Sequence, residues 1–89
     1  MTDICTFSDG DGIGGFQKYI GNTATAQECA YAVKVNYAFA NGATWGNVVE
    51  MSTFDNRHGM CYAEIGVTAN NSDSFWKTCQ FKIFEGTLT

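Results

Sequence analysis

Eighty-nine residues and 9.7 kDa leave room for one domain and exclude a Rossmann enzyme, a TIM barrel or a kinase by size. Hydrophobic residues make up 45%, aromatics 15% and charged residues 16%, the composition of a chain that folds around a core. The net charge is −4, with Lys18, Lys34, Arg57, Lys77 and Lys82 scattered singly. Nucleic-acid and anionic-membrane partners both require a clustered basic surface, so both are excluded.

No apolar run approaches the roughly 18 residues of a membrane span. No basic segment followed by an apolar one opens the chain, so Met1-Thr2-Asp3 reads as a start placed on a mature sequence or as that of a cytosolic protein. There is no repeat, linker or low-complexity tract, and residues 1–89 read as a single unit.

In chain order, Ile4–Phe7 reads as a short strand. Residues 8–15, with four glycines in eight positions, read as a turn, since that density suits neither helix nor strand interior. Phe16–Ile20 is a second strand. Thr25-Ala-Gln-Glu28 is a capping box that starts a helix. Behind it Ala26, Cys29, Ala30, Val33 and Tyr37 recur on one helical stripe, and Asn41-Gly42 reads as the stop.

Beyond the helix the pattern changes to strands. Ala43–Trp45 and Val48–Ser52 are joined by Gly46-Asn47, read as a two-residue turn, and Asp55–Gly59 is a polar loop. Met60–Val67 alternates, with Cys61, Ala63 and Ile65 on one side and Tyr62 and Glu64 on the other. Asn70–Ser74 is a loop. Phe75–Phe84 places Phe75, Cys79, Phe81 and Ile83 opposite Trp76, Thr78 and Gln80. The expected class is α+β, with one helix packed on a single antiparallel sheet.

The four cysteines, Cys5, Cys29, Cys61 and Cys79, are never closer than 18 positions, so the paired spacing of a zinc site is missing and no metal is expected. An even count in a short chain reads as two disulfides in an oxidising compartment. All four fall on core-facing positions. Cys29–Cys61 would pin helix to sheet and Cys5–Cys79 would tie the two ends, although the other two connectivities stay open at this level. In the loop-entropy description the two links contribute roughly 3.7 and 4.5 kcal/mol.

At this point the chain resembles the PAN/apple superfamily of secreted modules. The resemblance rests on an N-terminal cysteine strand, the segment YIGNTATAQECAYAV, then NGATW, CYAEIGV and SFWKTCQF, which together cover about Cys5 to Phe84. It implies a helix cradled by an antiparallel sheet, an extracellular setting, and binding of proteins or carbohydrates without catalysis. The chain has four cysteines where the family has six, and no ligand-contacting residue carries over by motif.

Other constellations read as bland. Gly10-Asp-Gly-Ile-Gly-Gly15 fits G-x-G-x-x-G but lies before a strand, not a helix. Asp9 and Asp11 match the first two ligand positions of an EF-hand, but Ile13 and Ile20 fall on the next required ones, leaving calcium as an open question. Catalysis would need His58 as base or a carboxylate pair from Glu50, Glu64 and Asp73, in a module with little room for a cleft; the chain reads as non-enzymatic and without cofactor. Asn70-Asn71-Ser72 is a glycosylation triplet, in agreement with secretion.

The sheet face away from the helix is the more informative feature. Trp76, Tyr62 and Glu64, with Arg57 and His58 in an adjoining loop, are the expected ligand-binding residues. Aromatic rings stack on sugar faces, and carboxylates take the hydroxyls; the same residue types also serve protein contacts. The expectation is a secreted, lectin-like adhesion module, with an extracellular protein as the alternative partner and a small hydrolase as a distant third. Self-association would supply multivalency. Loops folding back over the aromatics would instead make the face a second small core.

Overall fold

A computed structural model describes residues 5–47 and 57–81. Its elements run β1 (Ser8–Asp9), β2 (Gly12–Ile13), β3 (Phe16–Asn22), α1 (Ala26–Asn36), β4 (Gly42–Gly46), β5 (Met60–Ile65), β6 (Ala69–Asn70) and β7 (Trp76–Gln80). Five strands form an antiparallel sheet in the order β1-β7-β4-β5-β3. The helix lies on one face of it, which gives the expected small α+β fold.

The helix starts where its capping box predicts. Thr25 is extended, its hydroxyl accepts from the Glu28 amide at 3.1 Å, and the Glu28 carboxylate accepts from the Thr25 amide at 3.1 Å. It ends earlier than expected, with Tyr37 as the C-cap. Asn36 donates its side-chain amide back to the Ala32 carbonyl at 2.9 Å, and the Tyr37 amide closes on Val33. Asn41 therefore lies outside the helix, and Gly42 is already the first residue of β4.

Cys29, Ala30 and Val33 of the helix are fully buried against Ala43 and Trp45 of β4, Cys61 and Ala63 of β5, and Cys79 of β7. The small side chains at the centre, Ala30, Ala43 and Ala63, let helix and sheet approach closely. Both disulfides form as expected. Cys29–Cys61 joins helix to β5 across 5.4 Å between Cα atoms, and Cys5–Cys79 joins the start of the described chain to β7 across 5.9 Å.

Four further expectations change. The first strand is Ser8–Asp9, not Ile4–Phe7; residues 5–7 are irregular and Ile4 lies outside the described residues. The segment 8–15 holds two-residue strands, not only turns. Its backbone is bonded by side chains, as the Asn71 carboxamide accepts from the Asp11 amide at 2.8 Å and Asn70 Nδ2 donates to Ser8 and Asp9 carbonyls. Third, β2 pairs with β6 as a separate two-stranded ribbon, so the sheet is not single. This ribbon folds over the outer face.

Lastly, Gly46 is not a turn residue. It pairs with Trp76, and the Asn47 amide donates to the Phe75 carbonyl at 2.8 Å, so the ladder runs straight through. The strand expected at Val48–Ser52 lies outside the described residues.

Candidate functional site

Alternation along each strand sorts the sheet into two faces. The registers Tyr19↔Tyr62, Thr44↔Tyr62, Thr44↔Thr78 and Gly46↔Trp76 put Tyr19, Tyr62 and Trp76 on the face away from the helix. Their rings form a row across the sheet. Tyr19 and Tyr62 have centroids 5.4 Å apart, and Tyr62 meets Trp76 edge-on at 5.7 Å, the spacing of favourable aromatic pairs. The central strand β4 contributes only Gly42, Thr44 and Gly46 to this face, so the rings lie over a strand without bulk. A Cβ on Gly46 would collide with the Arg57 carbonyl oxygen and touch the Trp76 ring at 3.4 Å.

Arg57 borders the row. Its guanidinium stacks on the Phe75 ring at 4.5 Å, a cation–π arrangement that holds a long side chain in place. Tyr19 was not among the expected site residues. Its hydroxyl donates to Asn22 Oδ1, which holds the ring in place next to a β-bulge between Tyr19 and Gly21. The signal that finds it is the register of β3 on β5, which alternation within one strand does not reveal.

The other expected residues separate. His58 packs edge-on against Trp45, centroid to centroid 5.3 Å, and Trp45 points into the helix-side core. His58 thus belongs to the opposite face from Tyr62 and Trp76. Its Nδ1 is buried with no hydrogen-bond partner among the described residues.

Glu64 is on the expected face but only 1% exposed. The turn after β5 is anchored by Asn41, whose Oδ1 accepts from Gly66 and Val67 amides at 3.0 Å and whose Nδ2 donates to the Val67 carbonyl at 2.9 Å. That anchoring lays the buried Val67 over the outer face. Gly12 of the ribbon completes the cover, so close that a Cβ there would approach the Glu64 carboxyl carbon to 3.0 Å.

Beneath this cover the face is polar. Thr44 Oγ1 lies 2.5 Å from Glu64 Oε2 and 2.7 Å from Thr78 Oγ1, and Thr78 Oγ1 lies 2.8 Å from the Gly10 carbonyl oxygen. Burial raises the Glu64 carboxyl above its ordinary range; a hydrogen bond from Thr44 opposes this, and the nearby Asp11 adds to it. Asp11 is itself raised, first by burial, against the Gly12 amide and with help from Asp73. Asp11 Oδ1 is buried without a partner among the described residues.

Asp11, Gly12, Gly14, Gly15, Phe16, Gln17 and Glu64 line a cleft of about 200 Å³. Gln17 is opposite Glu64 in the register, so the cleft adjoins the aromatic row along β3. Aromatic faces next to a carboxyl and an amide offer both stacking and hydrogen bonding to a polar ligand.

Asp9 and Asp11 diverge: Asp9 pairs with Lys77 at 2.7 Å, whereas Asp11 turns toward Glu64. Among the described residues no three His, Cys, Asp or Glu side chains group as a metal site. The Asn70 carboxamide of the glycosylation triplet also donates to the Thr78 carbonyl at 3.3 Å, so it ties the ribbon to β1 and β7. No helix among the described residues is long and apolar enough to cross a membrane. Comparison with known proteins found no matching family model, no matching curated protein and no matching solved structure.

Proposed function

We propose that this chain is a secreted, PAN/apple-like recognition module that binds carbohydrate on the outer sheet face, without catalysis. The observation that carries the reading is the row Tyr19–Tyr62–Trp76, contributed by β3, β5 and β7, beside a cleft rimmed by Gln17 and Asp11. Stacked rings cover the apolar face of a pyranose, and the polar rim takes its hydroxyls. Two disulfides suit an oxidising compartment. The rigid sheet holds the rings without a folding cost on binding, which favours affinity from a small surface.

A glycan array with the oxidised protein tests this. Binding to a sugar class that is lost in Trp76→Ala and Tyr62→Ala, with circular dichroism unchanged, supports the reading. Binding that persists in both variants removes the face assignment. Capture of an extracellular protein through the same residues, with no glycan bound, transfers the function to protein adhesion.

A further inference from the structure

The buried polar line across the outer face contains one more contact than its hydroxyls can supply. Three short oxygen–oxygen contacts run in series, from Glu64 Oε2 to Thr44 Oγ1, to Thr78 Oγ1, to the Gly10 carbonyl oxygen. Each needs one proton between its oxygens. Thr44 and Thr78 bring one hydroxyl proton each, and the Gly10 carbonyl brings none. With Glu64 as a carboxylate, acceptors close both ends and one contact holds two facing lone pairs, a costly arrangement where no water reaches.

We infer that Glu64 is protonated in the folded protein and heads a one-way relay, Glu64 to Thr44 to Thr78 to Gly10, which latches the glycine-rich ribbon onto the sheet. Loss of that proton unlatches it. When the carboxyl ionises, Thr44 must turn its hydroxyl toward Glu64, and Thr78 then holds either Thr44 or Gly10 without a proton on the other side. The turn around Gly10 loses one of its ties and the cleft beside Glu64 gains freedom to open.

The surroundings favour the neutral acid. From the ribbon side the titratable neighbour is Asp11, with Asp73 behind it, and both are acidic. From β4 come Gly42 and Thr44, from β7 Thr78, and from β3 Gln17; from the segment after β5 comes Val67. None of these carries a positive charge. Lys77 is committed to Asp9, and Lys18 pairs with Ala63 on the other face. Burial acts in the same direction.

Carbon-detected NMR titration of the side-chain carboxyls in the intact, oxidised chain tests the relay. The Glu64 midpoint is expected above the ordinary glutamate value of 4.5. The amides of Gly10 and Gly12 are expected to shift with the same midpoint, and the protection of residues 10–15 from exchange, relative to the intrinsic rate at each pH, to fall above it. Thr78→Val separates the relay from burial alone. With one hydroxyl and one contact left, Thr44 satisfies the carboxylate, so the midpoint falls toward 4.5 although Glu64 stays covered. Should that variant fail to fold, Glu64→Gln decides: its amide donates as the acid does, and the protection of residues 10–15, taken relative to the intrinsic exchange rate at each pH, should then stay constant across the range. A wild-type midpoint near 4.5, an unchanged midpoint in folded Thr78→Val, or pH-dependent protection of residues 10–15 persisting in Glu64→Gln each overturns the inference.

Discussion

The two faces of one sheet are built on opposite terms. Toward the helix, Ala43, Trp45, Cys61, Ala63 and Cys79 meet Cys29, Ala30 and Val33 in an apolar layer crossed by two disulfides. Away from it, Thr44, Glu64 and Thr78 are buried as polar groups under a thin ribbon, while Tyr19 is exposed and Tyr62 and Trp76 are half-buried. The first face carries stability, because small side chains and covalent links tolerate little rearrangement. The second keeps polar groups, glycines and rings where an apolar layer would be more stable, a departure of the kind expected at functional surfaces.

The comparison breaks most visibly on the helix side. Replacing both Cys29 and Cys61 with alanine should cost about 2–5 kcal/mol in urea unfolding of the oxidised protein. A loss under 1 kcal/mol would show that the helix is held by packing alone.

A smaller effect is expected on the outer face from Gly46→Ala. The added methyl meets the Arg57 carbonyl and the Trp76 ring, which costs roughly 1–3 kcal/mol by overpacking and displaces Trp76 from Tyr62. Tryptophan fluorescence and urea unfolding measure the two consequences together.

The pH response should also divide the faces. A carboxyl whose folded value lies above its unfolded one binds more protons in the folded chain. Its contribution is therefore complete below about 4.5 and is lost as pH rises through the folded value. Asp11, raised from 3.8, acts with the same sign. The melting temperature should decline from mildly acidic toward neutral pH, and Glu64→Gln should reduce that decline. A wild-type melting temperature rising over the same interval contradicts the assignment.

The mildest change is on the helix cap. Thr25→Ala removes the hydroxyl that accepts from Glu28 and should cost about 1 kcal/mol, with no effect on the outer face.

What was legible in the sequence follows the same division. The capping box, the buried stripe of Cys29, Ala30 and Val33, and the core-facing positions of the cysteines depend on local chemistry and period, which a single chain displays directly, whereas the pairing of the cysteines across 32 and 74 positions does not. Tyr62 and Trp76 were placed on the outer face by alternation, correctly. Alternation does not say what covers a face, so Glu64 looked like a ligand contact when Val67 and Gly12 roof it over. That roof depends on Asn41 and Asn70 bonding across 26 and 61 positions of sequence, which no local pattern reveals. His58 was separated from the site because a loop residue has no period to assign its side. Residues 8–15 looked incapable of pairing because glycine density argues against strands of ordinary length, and these strands are two residues long.

The central claim is that recognition belongs to the outer face, and a matched pair of tyrosines tests it most directly. Tyr19 is 47% exposed on that face and Tyr31 is 60% exposed on the helix, so neither truncation disturbs a buried core. Affinity for a bound glycan, measured by titration calorimetry, should fall roughly tenfold in Tyr19→Ala, about 1.4 kcal/mol, and stay unchanged in Tyr31→Ala. Equal losses in both variants, or a loss in Tyr31→Ala alone, would contradict it.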